Sequence, residues 1–426
     1  MTDCWHPNRL VPPSSAGWLT LVVIRWRLLV VLASLAAVAP VATDLYLPGF
    51  PAMATALGTD ASGVQLTLTS FLVGLAFGQL VMGPVSDRYG RRGPLVASAA
   101  VCVVAGVVCA VAPNLAVLVV ARLAQGFAGA GGMVIGRAII ADLVTGRAAA
   151  KAFTLMLTVG GVAPVLAPLV GGLLAGPVGW RGMLWAVAAL CAAMLVGVVL
   201  VVEETHPASR RTLSGRSSVA GLRVVLHTRS YRGPVTVFAL SFAVMMAYIS
   251  SSPFVYQNVV GLSEIGYAIA FGVNAIGLIG MGWVSARLVD RWPPRTVLRI
   301  AIAVQVVATL AFVALALVGA PAWSYPVPIF VAVTANGAIM GNSAALAMAE
   351  VREVAGTGSA LLGFSQFALG ALVSPLVGLG GADSALVPAL VMAVAAVLSL
   401  TASRGIAVER PQAAPLTSSS TDTATS

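Results

Sequence analysis

The chain has 426 residues, of which 59% are hydrophobic and only 9% charged, with a mean hydropathy of +0.98. Soluble globular domains carry roughly 25% charged residues, so that class is excluded and the composition is that of a membrane protein. The net charge of +10 and pI near 10.2 would suit a nucleic-acid binder, but the placement of the charges argues against one.

Apolar runs recur from end to end, and about twelve are long enough, at roughly 20 residues, to cross a hydrocarbon core as helix. They are predicted near 28–47, 63–83, 95–112, 116–140, 152–174, 180–202, 233–255, 265–287, 297–319, 326–349, 357–379 and 384–403. None shows the apolar/polar alternation of barrel strands. The expected fold class is therefore all-α. All but Arg122 and Arg181 of the 24 basic residues fall in the leader, the alternate loops and the tail on one side, whereas Asp60, Glu264 and Asp383 fall on the other. That bias is the positive-inside pattern and predicts both termini in the cytoplasm.

In chain order, residues 1–27 form a polar, Pro-containing leader; a signal peptide is disfavoured because its apolar run is long and many others follow. The first span ends in Thr43-Asp44-Leu45-Tyr46-Leu47-Pro48. Asp44 is the only acidic residue placed inside the membrane. There, desolvation and a nearby Arg would act on a carboxyl in opposite senses. The plainer reading is a cap at the outer end of the span beside Pro48.

Between spans two and three lies Gly83-Pro84-Val85-Ser86-Asp87-Arg88-Tyr89-Gly90-Arg91-Arg92. Gly83 would let the flanking spans approach closely and Gly90 would permit a tight reversal. Asp87 would face a helix N-terminus, and Arg88, Arg91 and Arg92 would pair with carboxylates at helix ends, Asp142 being the best placed. The arginines also serve as plain topological anchors. A weakened copy, Ala286 to Arg295, stands about half a chain later without either glycine, which suggests duplication and puts its own gating role in doubt.

Span four carries Arg122-Leu123-Ala124-Gln125-Gly126. A charge at this depth is expensive and normally faces a cavity and a partner, for which Asp44 is the candidate. Span five holds Pro164 and Pro168, which bend the helix, and Gly171 and Gly172, which allow close contact. Cys102, Cys109 and Cys191 lie in apolar runs and Cys4 in the leader, in no metal or disulfide spacing, so they read as small hydrophobes and no cofactor or metal is expected. The longest polar interruption divides the chain: an N-terminal six-helix bundle at 28–202, a central cytoplasmic loop at 203–232, a C-terminal six-helix bundle at 233–403 and a Ser/Thr-rich tail at 404–426 too polar to bury a core. Tyr46, Gln125, Tyr248, Asn274 and Asn336 are cavity-lining candidates on otherwise apolar spans; amides equally serve as interhelical packing bonds.

The first charged turn matches G-x-x-x-D-R-x-G-R-R, the loop signature of the major facilitator superfamily, residue for residue, and two parallel six-span halves are that superfamily's layout. The span-five prolines resemble its antiporter motif, with Ala167 where the usual pattern has Gly. Several segments narrow the resemblance: Thr43 to Pro48, Gly179-Trp180-Arg181, Glu203-Glu204-Thr205, Ala247 to Gln257, and Phe271-Gly272-Val273-Asn274-Ala275. Together they are similar to the Bcr/CflA group of bicyclomycin and chloramphenicol exporters, over about 28–403. The resemblance implies a drug:proton antiporter of the bacterial inner membrane, monomeric, exchanging protons for small weakly polar molecules. In it Asp44 would be protonated and Arg122 would be its coupling partner. An exporter of a natural metabolite and an uptake symporter share the fold. A membrane enzyme is disfavoured, because His6, His206 and His227 all lie in polar segments and no intramembrane carboxylates pair.

Overall fold

The computed structural model describes residues 26–144, 146–207, 223–351 and 354–406. Most of the leader, the middle of the central loop and nearly all of the tail lie outside these residues, as do Cys4 and the basic residues Arg9, Arg25, Arg210, Arg211, Arg216, Arg352 and Arg410. Lipid offers no partner for a free N–H or C=O, so a spanning backbone must bond to itself. Every long described element is accordingly a helix. They are α1 (Trp26–Asp44), α2 (Phe50–Leu57), α3 (Ala61–Tyr89), α4 (Arg92–Val111), α5 (Leu115–Leu143), α6 (146–178), α7 (180–201), α8 (Arg229–Phe254), α9 (Glu264–Leu288), α10 (Pro294–Leu317), α11 (Pro326–Ala349), α12 (Ala355–Leu376) and α13 (Leu386–Arg404).

Helices α6 and α7 form one run of 56 residues. At about 1.5 Å per residue it would measure roughly 84 Å, far beyond one crossing. It is broken at Gly179, whose φ of 62° and ψ of −176° are not helical, just after Pro177. Past the break, Arg181 donates Nη1 to the carbonyls of Ala110 (3.1 Å) and Ala112 (2.9 Å), closing the exposed end of α4. Among the described residues eleven helices are long and apolar enough to cross a membrane, and with the broken run counted twice the twelve expected crossings are present.

Three helices start at side-chain caps on one end of the bundle. Asp60 accepts from Gly63 N at 2.8 Å, Asn114 from Val117 N at 3.0 Å and Ser263 from Gly266 N at 3.1 Å. These caps set starts within one or two residues of those expected at 63, 116 and 265. The first span differs most. Beyond α1 the chain passes through a short 3-10 turn, Leu47–Gly49, into α2, so the first crossing runs Trp26–Leu57 over 32 residues. Its expected end near residue 47 was drawn at a proline that bends the span without ending it.

The helices gather in two sets. In the first, α3 and α4 pack on α5, and α1 and α4 on the α6–α7 pair; in the second, α8 is packed among α11, α12 and α13, with α10 on α11 and α13 and α9 on α11. The sets meet where α3 packs on α12 and α6 on α9. Side chains tie them at the capped end. Gln65 Nε2 donates to Ser250 O (3.0 Å), Gln257 Nε2 to Pro48 O (3.1 Å) and Ser62 Oγ to Pro375 O (3.5 Å). At the other end, which carries the arginine-rich turn, a cavity of about 500 Å³ separates α3 and α5 from the start of α12.

Within the first set, α3 and α5 touch backbone to backbone. A Cβ at Gly126 would press on the carbonyl of Phe71, with the Phe71 Cα only 3.0 Å away. Gly126→Ala should therefore lower thermal stability in detergent by about 1–3 kcal/mol, the cost of overpacking a tight contact. Gly161→Ala, where a Cβ meets nothing within 4 Å, should leave the melting temperature unchanged or slightly raised. Equal losses in both variants would show that the α3–α5 contact is not what limits packing.

Candidate functional site

The first group of buried polar residues forms around Arg122, which α5 carries one helical turn before Gly126. Its side chain is fully buried, a position that requires each donor to find an acceptor. Nη1 donates to Gln125 Oε1 at 2.8 Å, Nη2 to the Tyr46 hydroxyl at 3.2 Å and Nε to the Thr67 carbonyl at 3.4 Å. The guanidinium also lies over two rings, 4.6 Å from the Tyr46 centroid and 4.3 Å from that of Phe71, where the ring quadrupoles attract a cation. The Tyr46 hydroxyl in turn meets Thr67 Oγ1 at 3.0 Å. Thr67 and Phe71 were missed in the sequence. Their spacing of four residues put them on one face of α3, but which face looks at α5 is a tertiary matter.

The structure does not form the Asp44–Arg122 pair expected from the sequence. Among the described residues the ion pairs are those of Arg91 with Asp87 and Asp142. Tyr46 occupies the place beside Arg122. Asp44 is buried, and its Oδ1 has no hydrogen-bond partner. Because the first crossing continues to Leu57, Asp44 lies well inside it. The outer-end cap considered from sequence does not describe its position.

A second group forms on α8, the turn after it and α9. Asn274 on α9 donates Nδ2 to the hydroxyls of Tyr248 (2.9 Å) and Tyr256 (3.1 Å), Tyr248 stacks on Phe271 with centroids 5.4 Å apart, and Tyr267 stands edge-on to Phe271 at 6.0 Å. Tyr256 and Tyr267 were not singled out beforehand. Asn336 belongs to neither group. Its Oδ1 accepts from Ser241 and from Gln305 Nε2 (3.3 Å), a bond between α8, α10 and α11 inside the second set. Tyr46 and Gln125 thus enclose Arg122, Tyr248 and Asn274 form an aromatic wall, and Asn336 ties helices together.

The arginine-rich turn folds as a latch within the first set. Gly90 takes φ 91°, a left-handed conformation that favours glycine, and the chain reverses there. Arg91 donates Nη1 to Asp87 (2.5 Å) and to Ser86 Oγ (2.8 Å), and Nε to Asp142 Oδ2 (2.9 Å). Burial pulls this guanidinium down, but the hydrogen bonds and charges of Asp142 and Asp87 outweigh it and hold it above its ordinary value. Thr205 Oγ1 donates to the same Asp142 oxygen at 3.2 Å. Glu204 accepts from Arg91 N (2.8 Å) and Arg92 N (3.3 Å), capping the start of α4 from the far end of α7. Glu204 and Thr205 are joined to the turn only by the fold.

Other expectations at the turn are corrected. Arg88 lies over the Tyr89 ring at 5.3 Å and has no carboxylate partner among the described residues, and Arg92 Nη2 donates to the Val199 carbonyl at 3.2 Å. Gly83 is not a point of close approach: a Cβ there would meet Val134 at 3.8 Å, an ordinary contact across to α5. Asp87 lines the cavity opposite the start of α12 but bonds to Arg91 rather than to that helix. Arg137, expected as a flanking charge, is carried inside α5 and lines the same cavity. The second charged turn forms no ion pair among the described residues; Arg287 lies over Trp283 at 5.1 Å. On α6, Pro164 and Pro168 lie inside the helix as expected. A Cβ at Gly171 would meet the Leu45 carbonyl, and one at Gly172 would come within 2.7 Å of Ala268, so α6 touches both α1 and α9 there.

Comparison with known proteins follows the same architecture. An uncharacterised MFS-type transporter of Bacillus subtilis strain 168, YdgK, is 35% identical over 390 residues, spanning 91% of this chain and 96% of its own. A bicyclomycin resistance protein homolog of Haemophilus influenzae is 27% identical over 364 residues, spanning 85% and 92%. The multidrug resistance protein MdtL of Escherichia coli O45:K1 is 27% identical over 273 residues, spanning 64% and 69%. Among solved structures, a D-xylose-proton symporter aligns with a TM-score of 0.71 at 15% identity, over 89% of this chain and 99% of that one. A profile of the Major Facilitator Superfamily matches residues 32–375. With its twelve helical crossings, its latch at Gly83–Arg92 and these relatives, the chain belongs to the Major Facilitator Superfamily, whose members are transporters.

Proposed function

We propose that the chain is a proton-coupled antiporter that exports small, weakly polar, drug-like molecules by alternating access. One observation carries the reading: Asp44 is buried at the end of α1 with a carboxyl oxygen that no described residue satisfies. An ionised carboxylate within a membrane requires a partner. Arg122 is fully engaged elsewhere, so a proton or a bound solute takes that role in turn. The names of the Haemophilus and Escherichia relatives, bicyclomycin and multidrug resistance, support drugs as the solute. The aromatic wall of Tyr248, Tyr267 and Phe271 suits an apolar, weakly polar body.

In this reading the two sets are the bundles at 28–202 and 233–403, moving as a monomer in a bacterial inner membrane with both termini cytoplasmic. The end closed by Gln65, Gln257 and Ser62 is then the outer end, and the conformation faces inward. Solute enters with Asp44 unprotonated, and the bundles rock about the α3–α12 and α6–α9 contacts. After release outside, a proton neutralises Asp44 and the cavity returns. Arg122 serves as a fixed positive field beside Tyr46, coupled to Asp44 through the two-residue link along the chain rather than by a direct bond. The Arg91 latch holds the inner ends of α3, α4 and α5 together as one rigid lever.

Asp44→Asn should abolish substrate-induced proton release from everted vesicles under an imposed pH gradient, with bicyclomycin and chloramphenicol as first probes, while the protein still inserts. Undiminished proton-driven accumulation in that variant would sink the reading. Glu204→Ala removes the trans cap on α4 and should lower stability by roughly 0.5–2 kcal/mol, the range measured for lost helix caps. Efflux should fall with it, whereas Glu204→Gln, which keeps one acceptor, should lose less of both. Unchanged melting temperature and transport in Glu204→Ala would remove Glu204 from the latch.

A further inference from the structure

Two polar side chains in the cavity at the arginine-rich end are used by nothing described so far. Arg137 lies six residues before the end of α5 at Leu143, about 9 Å inside it by helical rise. Its one hydrogen bond runs from Nε to the Met133 carbonyl of its own helix at 3.0 Å. A guanidinium has five N–H donors, yet neither Nη bonds to a described residue, and no carboxylate lies within ion-pair distance among them. Gln79, on α3, is only 4% exposed and has no hydrogen bond to any described residue, yet it too lines the cavity.

The opposite wall is the first turn of α12, where Gly356 and Thr357 face the space. The residue preceding this helix, Val354, offers no side-chain cap, and the first-turn amides of a helix are donors that its own hydrogen bonds do not use. The charged groups of the lining are two guanidiniums, Arg91 and Arg137, and one carboxylate, Asp87, which Arg91 already holds. Among the described residues the lining therefore carries a net positive charge, with no free carboxylate.

The geometry points to an oxyanion subsite in this vestibule, in which Arg137 and Gln79 on one side and the first turn of α12 on the other bind a carboxylate, sulfonate or phosphate group. Arg suits such groups because its planar fork can donate two parallel bonds. The site spans both sets of helices, so an occupant would bridge them at the end where no side-chain bond between them forms in this conformation. It deepens the efflux reading by adding an acidic group to the apolar bodies admitted, but binding is measurable without transport, so either can fail alone. The group comes from a free organic acid or from the head of an anionic lipid sliding between α5 and α12; the chemistry at Arg137 is the same.

The test uses the purified full chain and a matched pair of probes, 2-naphthoate and 2-naphthamide, which share a ring system and differ in charge. In lipid-free detergent, wild type should bind the acid at least about tenfold more tightly than the amide, the low end for a hydrogen bond to a charged group. Arg137→Gln should erase that preference and Arg137→Lys should retain part of it. Gln79→Leu should weaken the acid several-fold and leave the amide unchanged, which keeps the site testable should the Arg137 variants fail to fold. Repeating the titration in phosphatidylglycerol and phosphatidylcholine nanodiscs separates the sources. Loss of acid binding only in phosphatidylglycerol identifies the lipid head as occupant, and equal binding in both identifies the free acid; either supports the site. Equal affinity of acid and amide for wild type, or an acid preference that survives both Arg137→Gln and Gln79→Leu, would overturn it.

Discussion

A polar group inside hydrocarbon has only the protein, a solute or a proton for company, and this constraint shapes the whole molecule. It forces the backbone into helices. It also sorts buried side chains into those that the chain satisfies and those that it leaves open. Arg122 is the extreme of the first kind: three hydrogen bonds and two aromatic faces enclose it. Asp44 Oδ1 and the side chains of Arg137 and Gln79 are of the second kind, and the last two line the cavity between the sets of helices.

The two ends of the bundle are held by different physics. At the capped end, neutral side chains of one set donate to backbone carbonyls of the other through Gln65, Gln257 and Ser62. Such bonds are individually modest, about 0.5–1.5 kcal/mol each, which fits a closure that the proposed alternating access would open. At the arginine-rich end the strong ionic contacts, Arg91 with Asp87 and Asp142, are all internal to one set. They stiffen a lever without fastening it to the other half. An interface of weak bonds between rigid bodies is what a rocking motion requires.

Much of this was legible from residue patterns. Apolar runs of spanning length located the crossings, caps at Asp60, Asn114 and Ser263 confirmed three starts, and the spacing of Asp87, Gly90 and Arg91 foretold a latch in which Asp142 takes part. Patterns failed where a choice depended on rotation about a helix axis. Asp44 and Arg122 were the obvious intramembrane pair, but Tyr46, two residues along, turned its ring and hydroxyl to the arginine and left a carboxyl oxygen without a described partner. Glu204 could not be assigned to the start of α4 because the contact joins positions more than a hundred residues apart.

The sequence by itself determined the solvent, the number of crossings and the side on which positive charge collects, because these follow from composition and from local runs that any lipid bilayer reads in the same way. Only the tertiary structure decided which polar residues are partners. Side-chain partnership in a helical bundle depends on the phase and tilt of each helix against its neighbours, and these are set by long-range contacts such as the backbone touch at Gly126 and the break at Gly179. Arg137 makes the difference plain: along the chain it is one more flanking charge, and in the bundle it is a cation inside a helix, facing a cavity with most of its donors unspent.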